Sequence, residues 1–300
     1  MTEPLIILSP PRSFSSVVST IIGQHPELYG FPELHLTVGD TVDEVIRHHE
    51  YRRSLESPPG LLRTLAQLDY GVQTTQNVFR ARAWLDERRN WSTKKLFDYL
   101  LDKVSPKIAV EKSPITAMKP QFLERIYAFF PKANYLHITR HPIPTRASML
   151  EFFDKKRRVK RDPTTGLPID PLKDWFNMHK NIMNLTNTLP LGQCMRIKGE
   201  DVLSDPDLYL PQICEWLGIR TDVKAIEAMK HPEDSPYACI GPFPARGGND
   251  TKFMRSPRLR QGKVREPSLK DELEKGELKE NLDEEFVEKI VKFAKQLGYR

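Results

Sequence analysis

Residues 5–22 read LIILSPPRSFSSVVSTII. Four apolar residues run into Ser9-Pro10-Pro11-Arg12-Ser13, and Val17, Val18, Ile21 and Ile22 then recur at helical spacing. The pattern predicts a short buried strand over Pro4–Ser9, a tight turn, and a helix that stops near Gly23-Gln24-His25-Pro26. A helix that begins just past a strand presents free N–H groups and partial positive charge at the carboxyl edge of a sheet. Arg12 adds a full charge, and Ser13, Ser15 and Ser16 add hydroxyl donors. Such a turn can seat a phosphate or sulfate. It can equally be a Ser-capped helix beside an exposed arginine. The G-x-x-x-x-G-K-[ST] loop of nucleotide hydrolases is absent, because the turn holds no glycine and no lysine before the hydroxyls.

Further strands are expected at KIAVEK (107–112), ANYLHITR (133–140) and QCMRIKGED (193–201). Helices are expected over Pro120–Phe130, after Pro144, and over 170–188. Two more carry Leu210, Ile213, Cys214 and Leu217 before Gly218, and Phe286, Ile290, Phe293 and Leu297 near the end. Residues 37–103 read as several helices, broken at Pro58-Pro59-Gly60 and near Asn90, inserted between the first two strands. Residues 231–268 hold prolines, glycines and basic residues with little periodicity, the character of a functional loop. Alternating strands and helices predict an α/β fold with a central parallel sheet covered on both faces. One domain is expected over 1–300, with a helical insertion at about 37–105 and a capping loop at about 231–268.

The chain has 300 residues, 39% hydrophobic and 29% charged, enough for a substantial core. A net charge of +6 points to an anionic partner, either nucleic acid or a small polyanion. The basic runs lack interleaved aromatics, which argues against nucleic acid. No apolar run approaches the roughly 20 residues that span a bilayer, and Glu3 stands where a basic leader would. A cytoplasmic protein without membrane contact is expected. Cys194, Cys214 and Cys239 match no zinc or redox spacing and read as reduced, mostly buried thiols. The run KKRRVKR (155–161) is either a solvated face or a docking surface for an acidic carrier or an anionic substrate.

SPPRSFSS followed by IIGQHPELYGFPELHL resembles the sulfotransferases that use 3'-phosphoadenosine 5'-phosphosulfate (PAPS), nearest their bacterial and polyketide-associated branch. The resemblance implies a P-loop-NTPase-like sulfotransferase fold, with Arg12, Ser13, Ser15 and Ser16 on the 5'-phosphosulfate. Phe14 occupies that motif's glycine, which is costly if the position needs φ > 0. HITRHPIPTRASM (137–149) resembles the 3'-phosphate motif and implies that Arg140 and Ser148 hold that group. VEKSP (110–114) resembles a third motif and makes Lys112 a candidate for the sulfuryl or bridging oxygen. KGEDVLSDPDLYLPQICEWLGI (198–219) resembles a fourth, with Gly199 where many members carry an adenine-contacting tyrosine. RLRQGKVR (258–265) loosely resembles a basic loop over the 3'-phosphate, so Arg258, Arg260 and Lys263 are candidates.

The activity implied is transfer of SO3 from PAPS to a hydroxyl of a small-molecule or carrier-bound acceptor, leaving PAP (3'-phosphoadenosine 5'-phosphate), with no metal required. Positioning and electrostatics carry such a reaction, and an alcohol needs a base. FPELHL offers Glu33 and His35; the resemblance favours Glu33. The competing classes are a P-loop-like nucleotide-dependent phosphotransferase and a non-catalytic polyanion binder.

Overall fold

The opening apolar run is strand β1 (Leu5–Leu8), buried along its whole length. It lies in a computed structural model that describes residues 2–51, 58–155, 169–264, 266–269 and 282–300. Successive side chains of a strand point to opposite faces. Ile6 and Leu8 therefore join one core cluster and Leu5 and Ile7 another, which explains why no polar residue interrupts the run.

Helix α1 (Ser15–Gly23) follows, then β2 (Leu28–Gly30). Four helices come next: α2 (Val42–Tyr51), α3 (Pro59–Tyr70), α4 (Thr75–Asp86) and α5 (Thr93–Val104). Strand β3 (Ile108–Glu111), α6 (Pro120–Phe129), β4 (Asn134–Thr139), α7 (Pro142–Lys155), α8 (Pro171–Thr186) and β5 (Cys194–Lys198) continue the alternation. Helices α9 (Gly199–Ser204), α10 (Pro206–Leu217), α11 (Val223–Met229), α12 (Thr251–Arg255) and α13 (Glu284–Gln296) complete the described elements.

The five strands run in the order β2-β3-β1-β4-β5 and every pairing is parallel. Central β1 pairs Leu5 with Val110 of β3 and with Asn134 of β4. The chain reverses its direction of travel across the sheet around β1, and ligands of open α/β sheets bind at the carboxyl ends of such a switch point. Arg12 follows β1, Lys112 follows β3, Arg140 follows β4 and Gly199 follows β5. Helices α2 to α6 and α8 pack on one face, α1, α10 and α11 on the other. Trp175 of α8 joins Ile290 and Ala294 of α13 in a third cluster.

Several expectations are corrected. Strand β2 was not foreseen, because three residues, one of them glycine, carry no periodicity; the helical insertion therefore lies between β2 and β3. The strand expected over 193–201 ends at Lys198, where α9 begins. Cys239 is exposed rather than buried. Within 231–268 the chain forms the short helix α12 and a turn of 3-10 helix at Pro232–Asp234. Most of the run 155–161 lies outside the described residues. Among the described residues no helix is long and apolar enough to cross a membrane.

Two fully buried histidines meet between β4 and α8, His137 on the strand and His179 on the helix. Arg196 donates from Nε to His137 Nδ1 (3.2 Å). His137 therefore carries its proton on Nε2 and donates to His179 Nδ1 (2.8 Å). Burial, reinforced by Arg196, pulls both rings down, His179 to about 3 and His137 well below its ordinary value. The unfolded chain thus binds more protons below pH ~6.5, so stability is full above that pH and falls as pH drops. Each ring adds up to ~1.4 kcal/mol per pH unit to that slope. Thermal unfolding scans from pH 7 to pH 4.5 should show the decline, and His179→Gln should flatten it.

Candidate active site

The turn after β1 takes the left-handed conformation at two non-glycine residues, Arg12 (φ 66) and Phe14 (φ 60). Each costs roughly 1–2 kcal/mol for a residue with a Cβ. The expected strain at Phe14 is therefore present. Phe14 is the N-cap of α1 and offers no side-chain cap, so the first-turn N–H groups are not capped by a side chain. Ser13 Oγ is buried and has no hydrogen-bond partner among the described residues.

Beyond β3, the Lys112 side chain is fully buried. Its ammonium donates to Glu33 Oε1 (2.6 Å), Asn249 Oδ1 (3.1 Å) and Ser16 Oγ (3.2 Å). Glu33 is held by its backbone: its N–H donates to Gly248 O (2.7 Å). Gly60, at the start of α3, passes so close that a Cβ there would lie 2.1 Å from Glu33 O. The second Glu33 oxygen meets His35 Nε2 (3.3 Å), and His35 Nδ1 meets His49 Nε2 (3.2 Å). His35 is left-handed (φ 57), and its N–H donates to Ser113 Oγ (3.1 Å). Ser113 in turn donates to Glu111. Burial alone would raise the Glu33 carboxyl, but the Lys112 ammonium and the His35 ring outweigh it and hold the group at about 2. Glu111, buried without such a cation bonded to it, is pushed up to about 7.

Beyond β4, Arg140 donates from Nη1 to the Arg12 carbonyl (2.6 Å), and its guanidinium lies 4.0 Å from the centre of the Phe14 ring. Its own carbonyl accepts from Trp175 Nε1 (3.0 Å). Arg140 Nε is buried with no partner among the described residues. Arg12 donates from Nε to Ser148 Oγ (2.9 Å) and pairs through Nη1 with Asp250. Asp250 N–H also donates to Ser16 Oγ (3.2 Å). The loop that delivers Asn249 and Asp250 is tied to the insertion by the buried Arg63 of α3, which donates to Gly247 O (3.0 Å).

The fold thus gathers Arg12, Ser13, Phe14, Ser15, Ser16, Glu33, His35, Lys112, Arg140 and Ser148 at the carboxyl ends of β1, β3 and β4. Ser148 bonds Arg12, not Arg140 with which its motif groups it. The basic loop is placed differently: Arg260 reaches Ser256, Gly262 N–H donates to Leu203 O, and Val264 N–H donates to Ser204 Oγ. Gly262 and Val264 thus tie the loop to the end of α9, and Arg260 bonds within its own loop rather than to Arg12 or Arg140. Glu200 accepts from His141 N–H (2.8 Å) and from the Tyr299 hydroxyl (3.2 Å), a structural tie. The sequence reading missed His49, Asn249 and Asp250. Gly247-Gly248-Asn249-Asp250 before a basic stretch was the available sign of the last two; His49 gave none.

The sequence pattern described as the sulfotransferase family matches residues 4–223. A structure described as the sulfotransferase domain from the curacin biosynthetic pathway superposes with a TM-score of 0.74 at 23% identity, covering 100% of this chain and 99% of that one. The sulfotransferase domain of the Synechococcus PCC 7002 olefin synthase gives 0.71 at 22% identity, covering 100% and 97%. At such identities these likenesses show a shared fold. No curated protein matches the chain.

The carboxylate of Asp250 sits on the cation that an incoming anion would need. Removing it should favour anions: Asp250→Ala should bind pyrophosphate ~2–5-fold more tightly, the scale of a partly exposed ion pair. Calorimetric titration against the unaltered protein measures this.

Proposed function

The chain belongs to the sulfotransferase family, and from that premise we propose that it transfers a sulfuryl group from PAPS to a hydroxyl of a small-molecule or carrier-bound acceptor. The observation that carries this reading is the convergence of Arg12, Lys112, Arg140 and the uncapped start of α1, together with the orphaned donors Ser13 Oγ and Arg140 Nε. Buried donors without acceptors are costly, and the two phosphate-bearing ends of one nucleotide fit them. PAPS, when bound, supplies the sulfuryl group and its phosphate leaving group.

In this reading Arg12, Ser13, Ser15, Ser16 and the α1 N–H groups hold the 5'-phosphosulfate, and Arg140 holds the 3'-phosphate. Lys112 neutralises charge developing on the leaving oxygen. Every Lys112 proton is engaged by Ser16, Glu33 and Asn249. Turning toward the anion therefore loosens its grip on Glu33, whose pKa then rises from about 2 toward the ordinary carboxylate range. The base is thus strengthened when the donor is in place. Glu33 takes the acceptor's hydroxyl proton, and His35, backed by His49, offers it an onward place. The candidate site draws on residues from 12 to 250, which supports reading the chain as one catalytic domain. Arg258, Arg260 and Lys263 serve as an outer basic margin in this reading.

Calorimetry should show binding of PAP and much weaker binding of ATP; tight ATP binding without PAP would favour the phosphotransferase class and overturn the reading. Glu33→Gln should lower kcat by ~10²–10⁴-fold with little change in PAP affinity. Full activity in that variant would move the base to His35.

A further inference from the structure

The guanidinium of Arg140 is placed by unusually few polar contacts. Among the described hydrogen bonds it makes one, from Nη1 to the Arg12 carbonyl, and its Nε makes none. The Arg12 cation nearby opposes it, and the Glu200 carboxylate that attracts it is bonded elsewhere, to His141 N–H and Tyr299. What lies against the guanidinium is the Phe14 ring, 4.0 Å away, within the range where a ring face attracts a cation.

The ring is itself built into place. The left-handed backbone at Phe14 directs its Cβ, at an energetic cost, toward α9. Gly199, the first residue of α9, forms the wall behind it. A Cβ on Gly199 would fall 2.9 Å from Phe14 Cδ2, 3.1 Å from Phe14 Cβ and 3.2 Å from Ser13 O. Phe14 and Gly199 are thus complementary, and the two departures from the family's motifs form a single contact.

We propose that Phe14 is a positioning residue, which, backed by Gly199, holds the Arg140 guanidinium in the orientation that recognises a 3'-phosphate and so discriminates a 3'-phosphorylated nucleotide from its 3'-hydroxyl counterpart. This rests on the assignment of the 3'-phosphate to Arg140 made above.

Isothermal titration of the full chain with PAP and with AMP, which lacks the 3'-phosphate, tests it. Phe14→Leu should weaken PAP about tenfold, the upper part of the cation–π range, and AMP by less than about twofold. Phe14→Tyr, which keeps a ring face, should retain PAP affinity. Gly199→Ala, whose methyl displaces the ring, should lose PAP affinity as Phe14→Leu does, and decides the matter if Phe14→Leu does not fold. Arg140→Ala is the control. If it weakens PAP while Phe14→Leu and Gly199→Ala bind PAP normally, or if both weaken PAP and AMP equally, the role of Phe14 is overturned. If Arg140→Ala itself binds PAP normally, the assignment of Arg140 fails instead.

Discussion

A fully buried ammonium must be given acceptors, and the three that Lys112 finds come from three separate parts of the chain. Ser16 belongs to the first turn of α1, Glu33 to the segment after β2, and Asn249 to the loop before α12. The end of β3 is therefore the point to which the other pieces of the site are fastened. Leaving any one acceptor out would strand part of a charge in the interior, which costs more than the bond itself contributes. The same constraint explains why Glu33 stays ionised in a largely enclosed position: the carboxylate is the countercharge that makes the lysine tolerable there.

The frame was readable because its rules are local. An uninterrupted apolar run such as Leu5–Leu8 is what a strand buried on both faces requires. The strand ends then located Arg12, Lys112 and Arg140 without knowledge of the packing. What failed depended on contacts distant in sequence. Strand β2 exists because Tyr29 pairs with Ala109 of β3, which no window around residue 29 reveals. His49 faces outward or inward depending on how α2 docks. Asp250 meets Arg12 across 238 residues of chain. Cys239 is exposed where it accepts from Arg63, 176 residues away in the chain.

Position 14 shows how a single-residue rule can be right and still mislead. The conformation that favours glycine is present, and a phenylalanine occupies it. Taken alone, that is a defect. Taken with Gly199, it is one half of a contact whose other half lies 185 positions later in the same chain. Motif departures therefore need to be weighed in spatial pairs, since a lost glycine in one turn and a gained glycine at a helix start leave the local volume nearly unchanged.

The Asp250–Arg12 pair has one more consequence. Arg12 already carries an internal counter-ion, so an anion binding there as proposed would perform an exchange rather than a simple neutralisation. The displaced carboxylate would stay tethered to the chain rather than join the bulk salt. Binding at Arg12 would then depend less steeply on ionic strength than the number of cations in the cleft suggests, and the exchanged charge would be returned to the loop before α12 as each anion enters.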